Sequence, residues 1–290
     1  MTATNFFRQG MQLAAIAALL CAAPSTVGAA YEAQLYAITN WNAGCSGGTR
    51  NAWDDMGDAW YDEITDNAFF WGGHGFSAYT RDRRRVNGNI ADSWFTDTAI
   101  VGFGNDTAFL DEGDAAMVCT HGSESSGRWF GKLRIDEAGS GNCNAWQGHM
   151  ELGDSDLEFL HLSSCNSLDD NQWSRKWLDS FKGLHLVTGF HGIMYISEWR
   201  APHYRDFSED AFESSIADAW IDNLYFPDTS GSDDQCPVAY GAGSSEVDLW
   251  QGMRNERYDN VYSDPEARWW GAIYIAGCDP LGEDACGDGV

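Results

Sequence analysis

The sequence predicts an α/β fold in which a mostly parallel sheet has helices on both faces and carries long loop insertions. Two observations support this fold class: short apolar runs recur along the chain, and segments with helical periodicity separate several of them. The apolar runs are residues 34–41, 115–120, 157–164, 184–190 and 269–276. Strands of this kind, with little polar alternation, are typical of a parallel sheet that is covered on both faces.

Three segments carry an apolar stripe at helical spacing, which predicts amphipathic helices. They are residues 51–65, 168–183 and 208–224. Ser208 is expected to cap the third helix, and Gly183 is expected to end the second. The stretch 76–110 is polar and contains an arginine-rich cluster at 81–85, so we expect a surface excursion there.

Composition and charge exclude several classes of protein. The chain has 290 residues, with 17 Lys+Arg against 44 Asp+Glu and a formal net charge of −27. Its 14 Trp, 11 Tyr and 15 Phe are incompatible with a disordered acidic tail, because such tails lack aromatic residues. A surface this negative repels phosphate backbones and anionic lipids. We therefore expect neither nucleic acid nor a membrane as a partner.

The first thirty residues have the pattern of a secretory signal peptide. Arg8 is the cation that precedes an apolar run at 13–23, and small residues at 27–30 offer a cleavage site. The run is too short to span a bilayer. We therefore expect a secreted protein, extracellular or periplasmic, whose residues 31–290 form one α/β domain.

Seven of the eight cysteines follow the predicted signal peptide, so at least one of them cannot pair within the chain. These seven are Cys45, Cys119, Cys143, Cys165, Cys236, Cys278 and Cys286. Export favours disulfides, and Cys278 with Cys286 closes the shortest loop, although exchange with Cys236 is an alternative. Cys165 is expected to keep its thiol, with Cys119 as the competing candidate. No C-x-x-C motif occurs, and we predict no metal site and no cofactor.

Two strand ends carry residues suited to thiol chemistry. His121 and Gly122 follow the strand at 115–120, and Cys165 follows the strand at 157–164. The carboxyl ends of parallel strands meet at one edge of a sheet, where active sites are built. A cysteine nucleophile needs a nearby imidazole and N–H donors for the oxyanion. We therefore predict that His121 and Cys165 are catalytic and that the N–H groups of Gly122 and Cys165 form an oxyanion hole.

The segments MVCTHG (117–122) and FLHLSSC (159–165) resemble the caspase, gingipain and legumain clan of cysteine peptidases, clan CD. The run WLDSFKGLHLVTGFHG (177–192) resembles more closely an uncharacterised family of secreted bacterial proteins with the same dyad. Together the resemblance covers residues 31–226. It implies a caspase-like fold and hydrolysis of a peptide or protein substrate through a covalent thioester, without a cofactor.

Other interpretations of the same residues stay open at this stage. His74, in Gly-His-Gly after an apolar run, competes with His121, while a disulfide or a buried thiol competes with catalysis at Cys165. A candidate substrate pocket comprises His74, Asp169, Asp170 and His191. The alternative role of Asp169 and Asp170 is to cap the helix predicted at 168–183. The alternative function is a non-catalytic secreted binding or surface protein that keeps the fold with a vestigial dyad, and the sequence does not predict an oligomeric state.

Overall fold

The computed structural model describes residues 31–42, 44–45, 47–66, 79–137, 143–169, 175–227 and 234–280. Its strands are β1 (Tyr31–Ala37), β2 (Tyr79–Val86), β3 (Ala115–Cys119), β4 (Gly122–Ser125), β5 (Arg128–Lys132), β6 (Asn144–Trp146), β7 (Phe159–Ser163), β8 (Leu186–His191), β9 (Cys236–Gly243) and β10 (Trp269–Tyr274). Its α-helices are α1 (Ala52–Ile64), α2 (Arg175–Leu178), α3 (Ala201–Glu213), α4 (Ile216–Leu224) and α5 (Glu246–Asn255).

Seven of these strands form the main sheet, in the order β10-β9-β8-β7-β3-β1-β2. The five from β2 to β8 are parallel, whereas β9 and β10 run antiparallel at one edge. Every residue of β3 and β7 is buried, because both faces of the central sheet are covered. The predicted α/β class with a mostly parallel sheet is confirmed.

One face of the sheet is covered by long helices. Helices α1, α3, α4 and α5 pack on it and contribute large buried side chains to a first core. These side chains include Trp53, Trp60, Tyr204, Phe207 and Trp220. The helix predicted at 51–65 is confirmed as α1, whose apolar stripe of Trp53, Met56, Trp60 and Ile64 faces the sheet.

The other face carries a second core under different cover. A small antiparallel sheet, β4-β5-β6, and several 3₁₀ turns pack there together with the one-turn helix α2. Of the helix predicted at 168–183, α2 is the part that the structure describes as helical, and residues 170–174 lie outside the described ranges. The loop insertions of the sequence therefore supply much of this second layer.

The arginine-rich cluster at 81–85 is not in a surface loop, as its polarity suggests, but in the edge strand β2. Strand β2 pairs in parallel with β1, and several of its arginines form ion pairs along the sheet edge. Arg84 contacts Asp54 and Asp58 of α1, and Arg83 contacts Glu112. A charged edge strand also discourages pairing with other chains.

The helix predicted from Ser208 to 224 is in fact two helices, and the expected cap is wrong. Helix α3 begins seven residues earlier, with a proline in its first turn, so Ser208 lies inside it and is buried. The chain breaks at Ser214, and Ser215 caps α4 by accepting a hydrogen bond from the N–H of Asp218 at 3.0 Å. The capping hydroxyl, that of Ser215, therefore lies in the middle of the segment 208–224 that the sequence predicts to be one helix.

Two disulfides occur among the described residues, which is consistent with an oxidising, extracellular environment. The loop disulfide joins Cys45 to Cys143, and the terminal disulfide joins Cys236 to Cys278. The expected pairing of Cys278 with Cys286 is wrong, because antiparallel β9 and β10 bring the Cα atoms of Cys236 and Cys278 within 5.9 Å. No described helix has the length and apolar character needed to cross a bilayer.

Candidate active site

His121 and Cys165 occupy equivalent positions at the carboxyl ends of neighbouring strands. Strands β3 and β7 are parallel, with Cys119 opposite Ser163, and each candidate lies two residues beyond that pair. Because side chains alternate between the faces of a strand, both residues are directed to the same side. Their contacts agree: His121 packs against Trp53 of α1, and Cys165 packs against the first core.

The two chain segments touch at the backbone. A Cβ atom on Gly122 would lie 2.6 Å from Nε1 of Trp129, and closer still to the Ser164 hydroxyl and the carbonyl oxygen of Cys165. No residue other than glycine fits this approach without moving one segment. The segments that carry the predicted partners are thus adjacent because of the sheet, although 44 positions separate His121 from Cys165 in the sequence.

The site lies beside the point where the strand order reverses, and His121 borders that point. Strand β1 is between β2 and β3, so the connections after β1 and after β3 lead to opposite sides and leave a crevice between the carboxyl ends of these two strands, the usual ligand site of open α/β sheets. The loop after β1 borders this crevice, and the loop disulfide ties it to the segment before β6. Its Gly48 carbonyl oxygen lies 2.7 Å from Nε2 of His121.

This carbonyl determines which imidazole nitrogen is basic. A carbonyl oxygen can only accept, so Nε2 of His121 carries the proton and donates it to Gly48. In the neutral ring Nδ1 is then the nitrogen with a lone pair. The arrangement has the form of a base oriented by a third group, which cysteine and serine nucleophiles require.

Two indole rings hold the imidazole in place. The ring centroid of Trp41 lies 4.8 Å from that of His121, and the Trp53 ring meets the imidazole edge-on with a centroid distance of 4.9 Å. Burial lowers the pKa of His121, and the charges of Arg50 and Lys132 lower it further, against the opposing effect of the Gly48 hydrogen bond. The ring is therefore neutral near pH 7 and able to accept a proton.

Cys165 is half-buried and stands at a sharp turn. Its Sγ lies 4.0 Å from the carbonyl oxygen of Met194. The next residue, Asn166, has a left-handed backbone with φ of 49°, and its N–H donates to the carbonyl of Gly192 at 2.7 Å. This turn fixes the end of β7 against the end of β8.

Cys119 is a thiol of a different kind. It is fully buried inside β3, and burial raises its pKa far above the ordinary cysteine value. A buried thiol without thiolate character is chemically inert. Of the two described thiols, Cys165 is the one that solvent and reagents reach.

The N–H of Gly122 is directed away from β5. The N–H of Lys132 donates to the carbonyl of His121 at 2.8 Å, so residues 121 and 132 form a hydrogen-bonded pair. In an antiparallel ladder the next pair, Gly122 with Gly131, is a non-hydrogen-bonded one. The β4-β5 ladder therefore leaves this donor for another acceptor, as an oxyanion hole requires.

The predicted pocket residues have separate positions. Asp169 is buried, and its carboxylate accepts a hydrogen bond from the N–H of Gly192 at 2.9 Å, so it holds the loop after β8. His191 is half-buried at the end of β8, opposite Cys236 of the terminal disulfide. His74 and Asp170 lie outside the described residues.

Sequence reasoning misses the groups that surround His121. The sequence pattern assigns Trp41 to a strand and Trp53 to a helix core, whereas both pack on the imidazole. Gly48 contributes a backbone carbonyl, which has no side-chain signature. Glycines in the loop after β1 are the one available signal, since a Cβ on Gly47 would overlap the Trp41 ring.

Comparison with known proteins identifies a family for most of the chain. A family model described as "Domain of unknown function (DUF6345)" matches residues 78–273, which is more than half of the chain. The match includes His121 and Cys165 and begins after β1 and α1. No curated protein matches the chain.

Proposed function

We propose that the chain, which belongs to the DUF6345 family, is a secreted cysteine peptidase that acts through a Cys165–His121 dyad and a covalent thioester. Its substrate is a peptide or a protein, and the chemistry needs no cofactor. The observation that carries the proposal is the juxtaposition of the ends of β3 and β7, beside the strand reversal. There a half-buried cysteine and an imidazole with a fixed tautomer lie on one face, at the carboxyl ends of adjacent parallel strands.

Acylation begins with proton transfer from the Cys165 thiol to Nδ1 of His121. The thiolate sulfur attacks the carbonyl carbon of the scissile bond and forms a tetrahedral intermediate with negative charge on oxygen. The N–H groups of Gly122 and Cys165 stabilise that oxygen. When the intermediate collapses, the C–N bond breaks, the amine takes the proton from His121, and a thioester remains on Cys165.

Deacylation uses the same groups with water in place of the thiol. His121 accepts a proton from the water as the oxygen attacks the thioester carbon. The second tetrahedral intermediate releases the acid product, and the proton returns to the sulfur. Lowering of the His121 pKa by burial suits both steps, because the ring must be neutral at the start of each.

The two thiols in the described part of the chain, Cys119 and Cys165, allow a direct test by alkylation. The folded protein is treated with iodoacetamide between pH 5 and 9, and the labelled cysteines are identified by mass mapping. We expect Cys165 to react quickly and Cys119 to stay unlabelled until the protein unfolds, since Cys119 is fully buried and Cys165 is the more exposed of the two described thiols. His121→Ala should slow the labelling of Cys165 at neutral pH and shift its pH profile upward.

Hydrolysis is then measured with a fluorogenic peptide library and an unfolded protein substrate. Cys165→Ala should abolish cleavage without loss of the fold, whereas Cys119→Ser should retain it. Equal labelling rates in the wild type and His121→Ala, together with no cleavage of any substrate, would refute the peptidase. That outcome would favour the non-catalytic binding protein.

A further inference from the structure

The loop after β8, residues 192–200, lies directly beside Cys165. The carbonyl oxygen of Met194 is 4.0 Å from Sγ of Cys165. The start of the loop is held in place, because the N–H of Gly192 donates to the buried carboxylate of Asp169 at 2.9 Å. A side chain that this loop carries is therefore positioned next to the proposed nucleophile.

The last residue of the loop, Arg200, is a half-buried cation without an acidic partner. Its guanidinium carbon lies 3.5 Å from the centroid of the Phe226 ring. Among the described residues, no carboxylate pairs with this guanidinium and no group accepts a hydrogen bond from it. Burial lowers the pKa of Arg200, and the groups that oppose this effect are Tyr204 and Tyr195 rather than an acid. A guanidinium that packs over a ring keeps its in-plane N–H donors for another group.

Other arginines in the described part of the chain have partners within the protein. Most form an ion pair with an acid: Arg81, Arg83, Arg84, Arg128, Arg205, Arg254, Arg257 and Arg268. Arg134 donates instead to the Gly88 carbonyl and to Asn42. The whole chain has 44 Asp+Glu against 17 Lys+Arg, so acids are plentiful. A half-buried arginine that meets neither an acid nor a carbonyl is therefore unlike these others.

Arg200 is at the same edge of the sheet as Cys165. It directly precedes α3, and Tyr204 lies one turn further along that helix. The Tyr204 hydroxyl is 2.8 Å from the hydroxyl of Ser163, the last residue of β7. Burial raises the pKa of Tyr204, while the Arg200 charge opposes that rise and the Cys165 thiolate adds to it. Because Coulomb interactions weaken with distance, both groups lie near this one phenol.

The other half of the dyad also lies among positive charges. Burial lowers the pKa of His121, the charges of Arg50 and Lys132 lower it further, and no acid acts against them. The dyad is thus a locally cationic region of a chain whose formal net charge is −27. At physiological ionic strength charges are screened beyond about 8 Å, so the nearby cations outweigh the distant acidic surface for a bound substrate.

Resting on the peptidase activity proposed above, we infer that Arg200 binds a carboxylate of the substrate and makes the enzyme selective for acidic peptides. A carboxylate accepts two parallel hydrogen bonds from a guanidinium, so both its charge and its planar shape are recognised. Two sources carry this group in a peptide, namely an Asp or Glu side chain and a free C-terminus. The Phe226 ring fixes the guanidinium in advance, which lowers the entropy cost of binding.

Cleavage is measured with acetylated, amidated peptides that contain one Asp and with matched peptides that contain Asn. The wild type should show about 10- to 100-fold higher kcat/KM for Asp, the range for hydrogen bonds to a charged group. Arg200→Gln should remove this difference mainly by raising KM for the Asp peptides. Arg200→Lys should keep part of it, since the ammonium keeps the charge without the fork. A third set carries its only carboxylate at the C-terminus, and selectivity confined to that set identifies the terminal group as the ligand.

Arg205→Gln is the matched control, because Arg205 is exposed on α3 and pairs with Asp206 at 3.0 Å. It should keep the wild-type selectivity, and thermal unfolding should show that Arg200→Gln is folded. Binding of the same peptides to Cys165→Ala, followed by fluorescence anisotropy, gives a second measurement that needs no hydrolysis. There too the Asp peptides should bind more tightly, and Arg200→Gln added to Cys165→Ala should abolish the difference.

These measurements separate failure of the inference from failure of the peptidase. If peptides are cleaved without regard to carboxylates, or if Arg200→Gln keeps the selectivity, the role of Arg200 is overturned and the peptidase stands. If no peptide is cleaved but Cys165→Ala binds the acidic peptides through Arg200, the peptidase fails and the carboxylate site stands. If neither cleavage nor selective binding occurs, both are overturned.

Discussion

Replacing Gly122 with alanine tests the contact between the two strand ends. The added Cβ would lie 2.6 Å from Nε1 of Trp129 and still closer to the carbonyl oxygen of Cys165, whereas ordinary contact begins at 3.4 Å. One obstacle is backbone, so no side-chain rotation relieves it. Restoring ordinary contact requires a shift of about 0.8 Å relative to Trp129, and a larger one between the Gly122 and Cys165 segments.

This displacement has two measurable consequences. Overpacking of a close contact costs about 1–3 kcal/mol, so the free energy of unfolding in urea should fall by that amount. A shift of about 1 Å between reacting groups costs roughly 100-fold in rate, so kcat/KM should fall by about that factor. The alkylation rate of Cys165 should change with it, because His121 and the thiol move apart.

Gly102→Ala is the matched control, since a Cβ there has no neighbour within 4 Å. It should leave stability, alkylation and hydrolysis at wild-type values. If Gly122→Ala also unfolds at the wild-type urea concentration and labels at the wild-type rate, the strand ends are not in contact. The geometry argued for the dyad would then be wrong.

Other predictions concern the histidines and the loop disulfide. In a pH profile of kcat/KM, activity should fall at acid pH as His121 is protonated, with the midpoint of that fall below the ordinary histidine pKa of 6.5. Because the Arg50 charge lowers this pKa, Arg50→Gln should move the midpoint to higher pH. Cys45→Ala combined with Cys143→Ala should cost about 2–5 kcal/mol in urea unfolding and also reduce kcat, whereas loss of the terminal disulfide should spare kcat. Burial lowers the pKa of His161 to about 3, so as the pH falls the unfolded state takes up a proton at this residue before the folded state does. Stability should therefore fall by up to about 1.4 kcal/mol per pH unit between 6.5 and 3 in acid denaturation, and His161→Gln should reduce that slope.

The central strands can be predicted because burial on both faces leaves a continuous apolar signal. The apolar runs predict the bounds of β3, β7 and β8 to within two residues. The ends of these strands follow from the same signal, so the sequence pattern alone predicts that His121 and Cys165 share one edge of the sheet. This part of the site depends only on local composition and on the geometry of parallel strands.

Strands without that signal escape prediction, for two different reasons. Strand β2 has the composition of a loop because its arginines are stabilised by acids of α1 and by Glu112, partners that local sequence does not reveal. Strand β9 is rich in small residues because α5 lies directly on it. A Cβ on Gly243 would be 2.6 Å from Cα of Leu249, and one on Gly241 would be 2.7 Å from Cγ of Met253. Glycine in these positions reflects close packing rather than a turn.

The orientation of the proposed base depends on a group that no residue pattern can predict. Gly48 acts through its carbonyl, which every amino acid has, so selection for this function leaves no residue type to recognise. Position matters instead: the loop must return to β3 at the strand reversal, and the loop disulfide holds it there. The family match begins at residue 78, after this loop. Because every residue supplies a backbone carbonyl, the acceptor for Nε2 of His121 depends on the path of the loop and not on the residue type at position 48.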